Sequence, residues 1–148
     1  MSTRSAIAIM HGERAKSVYC HWDGYPEYVG YILQNFYDST KTNQLISMGD
    51  LSSLGANIGE QHDFDERVDS ESFADTRCTF YTRDRGEETT WKSFGSLDEM
   101  VDHYKGSWCE YIYIMRDGVW YYSSLDHVEL KPLADAVADE LIKQGLTA

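Results

Sequence analysis

Arg4, His21, Asp23, Tyr25 and Glu110 are the side chains whose types could do chemistry together. If the strand carrying Arg4 pairs with the one carrying His21, these groups gather at one edge of a sheet. Arg4 would then grip an anionic group through its planar fork, while His21 and Asp23 handle protons. Trp22, between His21 and Asp23, adds a flat surface for a ligand or partner. The same residues also have a plain structural use: Asp23 caps a turn, Arg4 pairs with a carboxylate and Tyr25 packs. The pocket is an expectation, and the structural use is the stronger of the two.

Other chemistry has less support. His62, Asp63 and Asp65, with Cys20 or His21, could be offered to a metal, but hard cations need several oxygens on a rigid loop. The run HDFDERVDSE lacks the glycine and spacing of an EF-hand, so a solvated loop is expected and no metal. No G-x-S-x-G and no phosphate-cradling glycine loop occurs. Cys20 and His21 are adjacent, and neighbouring strand residues point to opposite faces, so they make a poor dyad. No catalytic residue and no cofactor is assigned.

The charge balance is informative. The chain has 148 residues with 25 acidic and 13 basic side chains, a net of -12. Such a field repels nucleic acid and anionic membranes and attracts basic partners; no Lys/Arg cluster is present for counterion-release binding. Glu60, Asp63, Asp65, Glu66, Asp69 and Glu71 form an acidic stretch that solubilises the chain or acts as a recognition surface. With Asp84, Glu87 and Glu88 it could mimic a nucleic-acid backbone. Aromatics reach 14%, including 11 Tyr and 4 Trp, which argues against disorder. Three widely spaced cysteines (Cys20, Cys78, Cys109), without a C-x-x-C pair, suit free thiols in strands and a reducing, cytoplasmic compartment. No apolar run approaches the ~18 residues of a membrane span.

The elements that must position these groups follow from periodicity. Residues 5–10 and 15–22 read as a hairpin around His11-Gly12-Glu13-Arg14. Asp23-Gly24-Tyr25-Pro26 breaks the second strand, and Val29, Ile32, Leu33 and Phe36 then recur at helical spacing over 26–37. Ser39 or Thr40 caps a second helix carrying Leu45, Ile46 and Met48, which Gly49 ends. Residues 49–75 look irregular and solvated. A strand at 77–82 turns at 84–87 and pairs back through 89–92. Ser96 and Glu99 form a capping box before Met100, Val101 and Tyr104. A hairpin spans 108–123 around Asp117-Gly118. Pro132 opens a helix with a stripe of Leu133, Ala134, Val137, Leu141 and Ile142, ended by Gly145. The expectation is a single α+β domain, 1–148. Its antiparallel sheet has about five or six strands in hairpins, packed on one face by three or four helices.

The block Thr3-Arg4-Ser5, Tyr19, Asp23-Gly24-Tyr25-Pro26, Gly30 and Leu33 resembles a family of small uncharacterised proteins of phages, prophages and bacteria. The strand Glu110-Tyr111-Ile112-Tyr113 matches the E-Y-x-Y seen late in many of them, whereas Cys20-His21-Trp22 departs from the Gln and aromatic common there. The resemblance implies a phage or mobile-element setting and no chemistry.

Together these readings predict a non-enzymatic accessory protein that binds and inhibits a host or defence component, a protein with a basic surface. The alternative is a nucleotide-signal binder with a pocket around Arg4, His21 and Tyr25, which a homo-oligomer could complete; a small hydrolase at the His21–Asp23 corner is weaker.

Overall fold

The computed structural model describes residues 3–66 and 72–143. Strand β1 (Ser5–His11) returns as β2 (Arg14–Cys20). A π-helical turn (Pro26–Gly30) runs into α1 (Tyr31–Phe36), followed by α2 (Ser39–Ser47) and β3 (Leu51–Ser53). Then come a 3-10 turn (Phe73–Asp75), β4 (Thr79–Phe80), α3 (Tyr81–Arg85), β5 (Lys92–Phe94) and α4 (Leu97–Gly106). The elements β6 (Tyr111–Arg116), β7 (Val119–Ser124), β8 (Lys131–Pro132) and α5 (Leu133–Lys143) follow.

The architecture is α+β, with eight strands in one sheet of order β4-β3-β2-β1-β6-β7-β8, and β5 pairing with β2 beside β3. It is mixed rather than wholly antiparallel, because β1 pairs parallel with β6 and β2 parallel with β3. The reason lies in β1. Ala6 to Met10 are all buried, alternate residues packing into two separate cores. A strand covered on both faces reads as a continuous apolar run and can hold a parallel neighbour. Ile7 and Ile9 pack with residues of α1, α2 and α5, while Ala6, Ala8 and Met10 pack with Met100, Val101 and Tyr104 of α4. Helices therefore cover both faces of the sheet, which corrects the expectation of one.

Both hairpins form around left-handed turns. His11 pairs with Arg14 across Gly12 (φ 63°), and Asp117 and Gly118 (φ 52° and 78°) join β6 to β7 as a type I′ turn requires. The strand expected at 77–82 shortens to two residues, because Tyr81 starts α3. The return strand goes elsewhere: β5 pairs with Ala15–Ser17 of β2. Asp38, not Ser39 or Thr40, caps α2, its carboxylate accepting from Lys41 N. Ser96 caps α4 by accepting from Glu99 N, and Glu99 in return accepts from Gly95 N. On α5, Leu133 and Val137 are buried but Ala134 is exposed, which narrows the expected stripe. The side chains of Leu141 and Ile142, and Gly145, lie outside the described residues, as do Asp69 and Glu71.

Cys20, Cys78 and Cys109 are free and buried. Only Cys20 is in a strand; the others precede β4 and β6. Burial pushes all three thiols up, Cys109 to about 12, so none is a thiolate at neutral pH. Among the described residues, no helix is long and apolar enough to cross a membrane.

Candidate functional site

Three separated stretches meet at the end of the sheet where β1 begins. Gly24 N donates to Thr3 O (2.8 Å), Glu110 N donates to Arg4 O (2.8 Å) and the Tyr113 hydroxyl donates to Gly24 O (2.7 Å). A Cβ on Gly24 would sit 2.7 Å from both Cβ and Oγ of Ser5, and 2.8 Å from Thr3 O. Asp23 enters this turn with φ 55°, a left-handed value that Asp tolerates better than most residues. Residues 3–5, 23–26 and 110–113 therefore form one packed knot. Its parts are mostly backbone, fastened by the wholly buried Tyr113.

The candidate residues separate around this knot. Arg4 lies beside His21, because the pairing Ser5↔Cys20 continues outward to them. Both have the parity of Ala6 and Tyr19, which pack on the α4 side. His21 Nδ1 is 2.7 Å from the Tyr19 hydroxyl. Burial, and then the Arg4 charge, hold the imidazole below its ordinary range. Glu110 is exposed, and its carboxylate makes no ion pair with Arg4 among the described residues. The Tyr25 hydroxyl reaches Asp23 Oδ1 only at 3.4 Å; burial and then Asp23 raise its pKa.

Trp22 and Asp23 line a cleft of ≈ 860 Å³, and the Trp22 ring stands edge-on to the His21 ring with centroids 4.8 Å apart. The aromatic lining of the cleft is Trp22, Tyr28 and Phe64; its carboxylates are Asp23, Asp65 and Glu66. Hydroxyls come from Ser52, Ser53, Thr76 and Thr79, and Arg77 is the cation among these residues. Arg77 Nη2 stands 3.6 Å from Glu66 Oε1, leaving Asp23 and Asp65 without a basic partner in the lining. Trp22 is 45% exposed, a large apolar surface left in water.

The cleft wall is built by contacts that periodicity does not reveal. A Cβ on Gly55 would come within 2.4 Å of the Arg77 backbone, so only glycine lets these two segments touch. Arg83 donates to the carbonyls of Ile58, Gly59 and Cys78 and to both oxygens of Asp84. Asp84 also accepts from the backbone N of His62 and of Phe80. Burial raises the Asp84 pKa, but these hydrogen bonds outweigh it and hold the carboxyl below its ordinary range. Asp84 is thus a buried hub, not part of a presented acidic surface; its side chain is 0% exposed.

His62 is also committed: Nδ1 is 3.0 Å from Glu60 O and Nε2 is 3.1 Å from Thr79 Oγ1. No three His, Cys, Asp or Glu side chains converge as metal ligands among the described residues. Glu60, Asp63, Asp65 and Glu66 are exposed, and the last two line the cleft.

Nothing in the sequence marks Tyr28, Thr76 or Arg77 as cleft residues. Phe64 alone leaves a signal, as a single aromatic inside an acidic run. Compared with known proteins, the chain matches no family model, no curated protein and no solved structure, so the roles of its residues rest on this geometry.

Proposed function

We propose that the protein is a non-enzymatic binding module whose cleft receives a basic segment of a partner protein, an arginine side chain foremost. The observation that carries this reading is the lining itself: an exposed Trp22 beside Asp23, with Asp65 in the same cleft, Glu66 already matched to Arg77 and Phe64 already under the Arg85 guanidinium at 5.0 Å. A guanidinium stacks on aromatic faces and pairs in its plane with carboxylates. The net charge of -12 adds long-range attraction for such a partner. In the phage-type setting that the resemblance implies, the partner is a host or defence protein, and occupation of its basic surface is inhibitory.

The nucleotide-signal alternative draws less support, because Arg4 and His21 share the α4 side with Tyr19 whereas Tyr25 reaches only toward Asp23. A hydrolase at the corner is weaker still: His21 Nδ1 is engaged by the Tyr19 hydroxyl, and no hydrogen bond joins His21 to Asp23 among the described residues.

Calorimetric titration with an arginine-rich peptide tests the proposal. Asp23→Asn with Asp65→Asn is expected to weaken binding about tenfold or more, as loss of close charge pairs does, and added salt is expected to weaken the wild-type complex. Equal affinity for wild type and the double variant would remove the cleft as the binding surface.

A further inference from the structure

Three buried side-chain polar atoms lack a hydrogen-bond partner among the described residues: Arg4 Nε, Ser5 Oγ and Arg77 Nη2. Arg77 has Glu66 within ion-pair distance. Arg4 has no carboxylate within ion-pair reach among the described residues, in a chain where acids outnumber bases by 25 to 13. A desolvated donor on a charged group is costly to leave unpaired, and such groups in native proteins call for a specific explanation.

The surroundings of Arg4 supply one. On its own face the neighbours are His21 and Tyr19 from the end of β2, with Cys109 before β6. The Tyr19 hydroxyl lies at His21 Nδ1 (2.7 Å). If that hydroxyl donates, the imidazole carries its proton on Nε2, and no protein partner engages that nitrogen among the described residues. A guanidinium fork and an imidazole N–H then stand side by side on adjacent strands. We propose that Arg4 and His21, with Tyr19 fixing the tautomer, form a receptor for a phosphoryl oxyanion on the α4 side of the sheet, divided from the acidic cleft by the Trp22 ring that stands edge-on to His21. A phosphoryl group offers three or more oxygens in different directions, enough to meet a planar fork and a third donor outside its plane.

The other titratable groups around this position are Asp50, which accepts from Tyr19 N (2.9 Å), and Tyr81 and Cys109, which lie within electrostatic range of Tyr19. Glu110 hangs from the neighbouring strand but is exposed and unpaired with Arg4. Lys92 and His103 lie within electrostatic range of Asp50, whereas the charge that acts on His21 is that of Arg4, so Arg4 is the group an anion beside His21 would answer.

The test follows His21 by NMR as pH is varied, in chloride and in inorganic phosphate at matched ionic strength. A bound anion offsets the Arg4 charge and favours the imidazolium. The His21 midpoint is expected to rise in phosphate by about one pH unit, a tenfold change in its proton affinity. Acetate is expected to move it far less, and Arg4→Gln to abolish the response. Arg4→Lys, which keeps the charge and loses the fork, gives a second reading should the glutamine variant not fold; it is expected to respond only weakly. An unmoved midpoint in phosphate, an equal response to acetate, or a full response without the Arg4 fork overturns the proposal.

Discussion

The knot at the start of β1 and the wall of the cleft differ in how they are held. The knot joins residues 3–5, 23–26 and 110–113 through main-chain hydrogen bonds and one buried tyrosine hydroxyl. The wall, running through 55–66 and 76–85, has main-chain bonds of its own, Asn57 N to Thr76 O and Cys78 N to Asn57 O, but adds a side-chain hub: Arg83 and Asp84 together tie three carbonyls and two amide N–H groups. Most residues of the Thr3–Leu33 block and the Glu110–Tyr113 strand fall in the knot, Tyr19, Gly30 and Leu33 excepted, and most have structural work there. Residues 52–79 supply most of the concave surface, to which Trp22, Asp23 and Tyr28 add one side.

Breaking the wall at its hub gives the largest expected effect. Asp84→Ala takes the carboxylate from the half-buried Arg83 and leaves the His62 and Phe80 N–H groups without their acceptor, a loss of about 3 kcal/mol. Urea denaturation should report it, and hydrogen exchange should place the loss first at His62 and Phe80, whose N–H groups donate to Asp84. Uniform loss across the sheet would mean that the wall and the knot are not separate units. The hub also predicts a pH dependence. Folding lowers the Asp84 pKa, so its contribution is complete above about pH 4, the unfolded carboxyl's value, and is lost as pH falls through the lower native value. Asp84→Ala should flatten that acid limb of the stability profile.

In the knot, Gly24→Ala forces a Cβ to within 2.8 Å of the Thr3 carbonyl and into Ser5. Overpacking of this kind costs about 1–3 kcal/mol, and a shift in denaturant midpoint checks it. Tyr113→Phe removes the hydroxyl that meets Gly24 O, at about 1 kcal/mol. Smallest on stability is Trp22→Ala, at about 0.5 kcal/mol, because the ring is half exposed and meets His21 only edge-on. The same change should weaken arginine-peptide binding about tenfold, the loss expected of a partly desolvated stacking partner. A stability change without a binding change would reverse the roles of knot and wall.

Much of the fold was legible because its signals are local. Gly12 and Asp117-Gly118 announced hairpins, Ser96 with Glu99 a capped helix, and Leu133 with Val137 a buried stripe. The parallel pairing of β1 with β6 was not, since its cause is coverage from both faces by helices far along the chain. The continuous run Ala6–Met10 carried that information, and reading it as half of a simple hairpin lost it. Tyr81 turned from strand to helix for a similar reason: Phe80 N and the Asp84 carboxylate close the first turn of α3, a contact that alternation of residue types cannot encode. For the site, Arg4 beside His21 follows from the hairpin register, which a two-residue turn fixes. The cleft does not, because Gly55 must first meet the Arg77 backbone before Trp22 has anything to face.

Where a basic ligand lands is the decisive question. Amide and indole chemical-shift mapping of the folded protein with an arginine-rich peptide answers it. Shifts should concentrate at Trp22, Ser52, Phe64, Thr76 and Thr79, and fade as salt is raised. Shifts centred instead on Lys105, Trp108 and Asp126, or spread evenly over the exposed carboxylates, would contradict the cleft as the receiving surface.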